Sequence, residues 1–174
     1  MPAGGFDPLS LRVGFGTDLH RLNAGDGIFL GGIFVPCPYS CDAVSDGDVL
    51  LHALVDAMSG VCALGDIGDC FPASKVTPGE SSSRFVRETL SRVVERGAVL
   101  INVDCIVNLQ TVRLGEAKRS IAANIAGLLD LRSDRVNVKA KTGEGVGPVG
   151  RGAAVSAEVV VLAMIAGTGG SRDA

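Results

Sequence analysis

No apolar run in this sequence reaches the ~18 residues of a membrane span, and the longest candidate, Val159 to Ala166, reads as a strand. Basic residues are dispersed and the formal net charge is −3, so no footprint for nucleic acid or an anionic membrane is expected. The first ten residues carry neither a charged n-region nor an apolar h-region, which argues against a secretory signal and for a cytoplasmic chain. Cys37, Cys41, Cys62, Cys70 and Cys105 make an odd count in no disulfide-framework pattern, and in that compartment they stay reduced. Cys37 and Cys41 lack further ligands at zinc-site spacing. No linker, repeat or low-complexity tract interrupts residues 11–166, which suit one domain. Residues 1–10 read as a disordered extension and 167–174 as a flexible tail. Histidine is scarce, with two residues in 174.

Both histidines sit beside carboxylates. The run from Arg12 to His20 reads as a strand whose alternate residues share a face, so Asp18 and His20 project together, roughly 7 Å apart along the chain. His52 closes the run Ser45-Asp46-Gly47-Asp48-Val49-Leu50-Leu51-His52. A helix starting at Ser45, with Asp48 completing a capping box, is expected there. From Val49 to Val61 it is apolar nearly all round, so it is buried on most sides. One polar stripe, Asp48, His52, Asp56 and Ser59, keeps helical spacing. A buried stripe needs partners, and Asp56 or Asp48 is placed to hold the second nitrogen of His52. One carboxylate with two imidazoles makes a three-ligand zinc site with an open fourth position. The opposite reading, a satisfied core histidine and two unrelated strand residues, stands beside it.

The remaining periodicities outline the fold. Ile28 to Val35 reads as a hairpin turning at Gly31-Gly32, and a proline-bearing loop leads on to the helix. A second helix spans Ser82 to Arg96, with Val86, Leu90, Val93 and Val94 as its core stripe and its Arg and Glu residues as a solvated face. Ala98 to Leu109 alternates as a long strand, Leu114 to Leu129 follows as a helix, and Arg135 to Lys141 alternates again. Gly152 to Ala166 closes the chain as a strand that is apolar on both faces apart from Ser156 and Glu158. This order predicts an α+β two-layer sandwich, a mostly four-stranded sheet with helices on one face. A single subunit leaves the outer face of the last strand wet, so a homo-oligomer is expected.

Lys139 to Gly152 joins the last two strands through a glycine-rich segment in which Lys139, Lys141, Thr142 and Arg151 suit phosphate oxygens. The spacing matches neither a Walker A loop nor a Rossmann fingerprint, and a plain glycine-rich hairpin loop is the competing reading. Glu144 amid that positive charge repels a phosphate unless a hard cation such as Mg²⁺ lies between them.

In order along residues 11 to 165, the blocks Arg12-Val13-Gly14-x-Gly16-x-Asp18-x-His20, Ser45-Asp46-Gly47-Asp48-Val49-x-x-His52, Ala63-Leu64-Gly65-Asp66-Ile67-Gly68, Phe71-Pro72, Asn102-Val103-Asp104, Val136-Asn137-Val138-Lys139-Ala140, Thr142-x-Glu144 and Gly150-Arg151-Gly152 resemble the 2-C-methyl-D-erythritol 2,4-cyclodiphosphate synthase family. The resemblance implies a metal-dependent lyase of non-mevalonate isoprenoid biosynthesis that cyclises a cytidine-diphosphate-linked substrate with release of CMP. It implies Zn²⁺ on Asp18, His20 and His52, and Mg²⁺ or Mn²⁺ on Glu144. Ser45, Lys141, Thr142, Arg113 and Arg151 then bind substrate, and Asp66 and Gly68 meet its sugar groups. The family is homotrimeric, with each site between two subunits. The chain departs from the family at several places. His-Ser becomes Val44-Ser45, Phe-Pro-Asp-Thr-Asp becomes Phe71-Pro72-Ala73-Ser74-Lys75, and Ala-Pro-Lys becomes Thr111-Val112-Arg113. Lys141 replaces the first of a threonine pair, and Pro148 replaces a phenylalanine bordering the trimer's central cavity. A non-catalytic trimeric nucleotide-diphosphate binding protein and a zinc-dependent phosphoesterase are the alternative readings.

Overall fold

A computed structural model describes residues 8–165. Of the extension expected at 1–10, Pro8–Ser10 form a 3₁₀ turn; residues 1–7 and the tail expected at 167–174 lie outside the described residues. The strands are β1 (Leu11–Ala24), β2 (Gly27–Leu30), β3 (Ile33–Pro36), β4 (Tyr39–Cys41), β5 (Ala98–Asn108), β6 (Val136–Lys141) and β7 (Ala154–Ile165). The helices are α1 (Val49–Val61), α2 (Ile67–Cys70), α3 (Ser82–Glu95), α4 (Ala117–Leu128) and α5 (Gly147–Gly150).

The main sheet is five-stranded and mixed, in the order β4-β1-β7-β5-β6. The expectation of four strands missed β4, whose three residues pair with Leu22 to Ala24 from inside the proline-bearing loop. Only β5 and β6 run parallel, because the connection between them carries α4 back across the sheet. The segment from Lys139 to Gly152 is therefore no hairpin loop: β6 is an edge strand, β7 lies beyond β5, and the connection contains α5. The expected hairpin at Gly31-Gly32 is present as a separate β2–β3 ribbon. Both glycines have positive φ, 60° and 78°, as a two-residue turn of this hand requires.

The sheet buries one face. Val155, Ala157, Val159, Val161 and Ala163 of β7 and Val103, Cys105 and Val107 of β5 point to the helices. Each fully buried Val or Leu contributes about 1.5–3 kcal/mol, so α1, with Leu50, Leu51, Leu54 and Met58 wholly inaccessible, is firmly anchored. It lies unusually close to β1. A Cβ on Gly14 would fall 1.8 Å from the Ala57 carbonyl oxygen, and one on Gly16 2.0 Å from that of Ala53. Only glycine at both places lets the helix seat against the strand that carries Asp18 and His20.

Two details of α3 differ from expectation. Val94 is exposed, and Phe85 and Thr89 complete the buried stripe with Val86 and Val93. Its charged residues are not merely solvated, since Arg84 sits over the rings of Phe71 and Phe85. On the opposite face of the sheet, Val13, Phe15 and Leu19 are 66%, 60% and 54% exposed. Val160 and Met164 continue that apolar surface across β7.

Candidate metal centre

The helix expected from Ser45 begins at Val49, with Asp48 rather than Ser45 as its N-cap. The side chain of Asp48 accepts from Leu50 N–H (3.2 Å) and Leu51 N–H (3.0 Å), and also from Gly31 N–H (2.9 Å) and Gly32 N–H (2.6 Å) of the hairpin turn. Burial pushes its carboxyl up from the ordinary value and these backbone donors pull it back. Asp48 thus ties the β2–β3 ribbon to the first turn of α1, the turn that carries His52.

Asp18 and His20 project from β1 opposite the inward Ala157 and Val155 of β7, so the strand alternation delivers them to the helix side. There the three predicted ligands converge. His52 Nδ1 is 2.9 Å from Asp18 Oδ2 and 3.1 Å from His20 Nε2. His20 Nε2 is 3.1 Å from Asp18 Oδ2. The atoms form a nearly equilateral triangle, and a point about 2 Å from each, the usual distance for zinc to nitrogen or carboxylate oxygen, lies about 1 Å off its plane. The two rings meet edge to face at 77°, so both lone pairs can aim at one point. Burial raises the Asp18 carboxyl, but hydrogen bonds and charge from His20 and His52 outweigh it and hold the group well below the usual carboxylate range. One carboxylate oxygen and two imidazole nitrogens suit a small dication.

The far side of His52 departs from the sequence reading. Neither Asp48 nor Asp56 holds it, since Asp56 accepts from Ile67 N–H at 2.7 Å and fixes the start of α2. His52 Nε2 instead lies 2.9 Å from Ser82 Oγ and 3.1 Å from Ser45 Oγ. Ser82 Oγ donates to Asp46 Oδ1 at 2.5 Å, and Ser82 N–H donates to Asp46 Oδ2 at 3.0 Å. Sequence reasoning missed Ser82. The contact spans 30 positions, and the only local signal was a serine at the start of a helix. The hydroxyl of Ser59, the fourth member of the polar stripe, is buried without a hydrogen-bond partner.

A cavity of about 290 Å³ opens on the triad. Ser45 and Gly68 line it together with Asp18, His20 and His52, and Val44, Phe71, Ala73 and Val76 make much of its wall apolar. Asp66 is not among the lining residues. It is the N-cap of α2, where its carboxylate accepts from Asp69 N–H at 2.9 Å. The other predicted residues gather elsewhere. Arg113, Lys141 and Thr142 line a separate cavity of about 370 Å³ at the end of β6, which shares no lining residue with the first. Thr142 Oγ1 donates to the exposed Glu144, whose φ is 48°, and Arg151 is exposed one residue past α5. Three inter-strand steps of about 4.8 Å separate β1 from β6, about 14 Å in all. Within one chain the triad and the residues around Thr142 are therefore two separate clusters.

Comparison with known proteins follows the same outline. A family model described as the YgbB family matches residues 11–164. The chain is 41% identical over 148 residues, 84% of its length and 92% of the relative's, to "2-C-methyl-D-erythritol 2,4-cyclodiphosphate synthase" of Treponema denticola. It is 44% identical over 157 residues, 90% of its length and 71% of the relative's, to the chloroplastic enzyme of the same name from Oryza sativa subsp. japonica. Among solved structures, a 2C-methyl-D-erythritol-2,4-cyclodiphosphate synthase in a CDP-bound form is 37% identical, with a TM-score of 0.81, over 87% of this chain and 99% of that one.

Proposed function

Since this chain belongs to the YgbB family, we propose that it is a metal-dependent lyase converting 4-diphosphocytidyl-2-C-methyl-D-erythritol 2-phosphate to 2-C-methyl-D-erythritol 2,4-cyclodiphosphate and CMP, a step of isoprenoid precursor synthesis. The observation that carries the reading is the convergence of Asp18, His20 and His52 beside an open cavity. In the reaction an oxygen of the 2-phosphate attacks the β-phosphorus, a new P–O bond closes the ring, and the bond to the CMP oxygen breaks. No protein nucleophile is needed; the demand is to fold one polyanion onto itself. Asp18, His20 and His52 would hold Zn²⁺, and Glu144 would hold Mg²⁺ or Mn²⁺. When bound, these ions offset phosphate repulsion and polarise the phosphoryl group.

The chain's own groups do the positioning. Ser45, at the mouth of the metal cavity, donates to a phosphate oxygen, and Gly68 in the same cavity meets the erythritol hydroxyls, with Asp66 next to it at the start of α2 as a further contact. Lys141, Thr142 and Arg113, which line the second cavity, carry the diphosphate and the cytidine end together with the exposed Arg151. These two sets lie about 14 Å apart in one chain, which supports a homotrimer whose sites form between neighbouring subunits. The exposed apolar face of β1 and β7 supports the same assembly. The described residues include no helix long and apolar enough to cross a membrane, and a cytoplasmic location accords with that.

The test is incubation of the purified protein with the cytidyl substrate, Zn²⁺ and Mg²⁺. CMP and the cyclic diphosphate should appear in equal amounts; a folded, zinc-loaded oligomer that releases no CMP near neutral pH rules the activity out. The apolar wall of Val44, Ala73 and Val76 favours a second reading, a non-catalytic nucleotide-diphosphate binding protein. Calorimetric titration with CDP separates the two, because tight binding without turnover is the signature of the second.

A further inference from the structure

His52 faces competing demands at its two ring nitrogens. The Asp18 carboxylate oxygen 2.9 Å from Nδ1 favours a proton there, whereas a metal held by the triad needs that nitrogen bare. Some group must draw the imidazole proton to Nε2. We propose that Asp46 and Ser82 are positioning residues that do this, selecting the tautomer of His52 that binds metal; the inference rests on the triad being a metal site, as proposed above.

The argument is a count of protons. Asp46 as a carboxylate only accepts, and it is fully engaged. Its Oδ1 takes the Ser82 hydroxyl proton at 2.5 Å and the Asp48 N–H at 3.2 Å, and its Oδ2 takes the Ser82 N–H at 3.0 Å. Asp46 is itself pinned through its own N–H, which donates to the Glu80 carbonyl at 2.9 Å. Ser82 has one hydroxyl proton, and Asp46 holds it. Toward His52 Nε2, 2.9 Å away, the Ser82 oxygen therefore presents a lone pair. It does so in a fully buried position, where no water competes. Ser45 Oγ, which accepts from Gly47 N–H at 3.2 Å, lies 3.1 Å from the same nitrogen and offers a weaker, second acceptor. Nε2 thus meets two oxygens that want its hydrogen, one backed by a full negative charge. Nδ1 is left with its lone pair toward Asp18 and His20.

Replacing Asp46 by Asn reverses the relay at constant shape. With its oxygen toward Ser82 N–H and its amide nitrogen toward Ser82 Oγ, at the expense of the Asp48 N–H bond, the Asn donates to the Ser82 oxygen, and the Ser82 hydroxyl turns to donate to His52 Nε2. The ring proton must then move to Nδ1, where it blocks the metal. Ser82→Ala only removes the stronger acceptor and leaves Ser45. The test measures zinc dissociation constants by competition with a chromophoric chelator, with the absorption bands of the Co²⁺-loaded proteins as a second readout. Asp46→Asn should weaken zinc by about 100-fold and Ser82→Ala by about 10-fold. Ser82→Thr, which keeps the hydroxyl, should stay near wild type, and thermal melts of the metal-free proteins should differ little. Wild-type zinc affinity in a folded Asp46→Asn protein overturns the proposal. Should that variant not fold, equal zinc affinity of Ser82→Ala and wild type overturns it instead. A wild-type chain that takes up no zinc defeats the metal reading itself, a failure visible before any variant is made.

Discussion

At β1 the side chains of the candidate site are largely buried and held by partners from distant segments, whereas at β6 and the loop after it they are largely exposed. Asp18, His20 and His52 come from a strand and a helix locked together by Gly14 and Gly16, and Ser82 and Asp46 fix the outer nitrogen of His52. At the other edge, Thr142 bonds to Glu144, and Lys139 bonds at 2.5 Å to Asp104 on the neighbouring strand. Gly143 N–H, held at 3.0 Å by Gln110 Oε1, is the loop's tie to the segment after β5. The first half is pre-organised inside the fold; the second presents exposed groups, which in the proposed reaction would gain their geometry from the substrate. A metal centre tolerates little error in ligand placement, while a polyanion can draw flexible cations around itself.

The sharpest way to break this contrast is His52→Ala. The protein should stay folded but lose its zinc, with affinity falling more than about 1,000-fold. Elemental analysis finding one zinc per chain in the variant contradicts the ligand assignment. Gly16→Ala attacks the seam between strand and helix. Its Cβ would sit 2.0 Å from a backbone oxygen that cannot step aside, so stability should drop by about 3 kcal/mol in urea denaturation followed by circular dichroism. An unchanged midpoint shows that the helix can shift without cost.

Glu144→Gln probes the exposed half. Turnover should fall about 100-fold while zinc content and melting temperature hold; loss of zinc along with activity erases the distinction between the halves. The smallest effect concerns the strand between them. Burial, with the Asp104 charge adding to it, pushes the Cys105 thiol up to about 12, against about 8.5 when unfolded. Between those values the unfolded chain releases a proton that the folded chain keeps. The contribution is thus complete below pH about 8.5 and declines as pH rises toward 12. Cys105→Ala should flatten the stability profile between pH 9 and 11 relative to wild type.

Local pattern was enough to read the strands and helices with strict periodicity. Val103, Cys105 and Val107 alternate inward as expected, and α4 buries Ile121 and Ile125. The convergence of Asp18, His20 and His52 was also legible, because Asp18 and His20 lie on one strand face and the second histidine sits among carboxylates. Three things were hidden, each a tertiary effect. The strand β4 has only three residues and exists by pairing with the end of β1. Ser45 carries the better capping pattern, yet Asp48 caps α1, since it also receives the two hairpin amides. The second-nitrogen partner of His52 arrives from α3, and helical spacing along α1 pointed to its own carboxylates instead.

The width of the sheet between β1 and β6 has a genetic consequence. A chain disabled at His52 still carries a sound Glu144 loop, and a chain disabled at Glu144 still carries a sound triad. If the sites form between neighbouring subunits as proposed, two such dead proteins unfolded together and reassembled should complement each other and recover part of the lost turnover, since a pairing would need only one good edge from each parent.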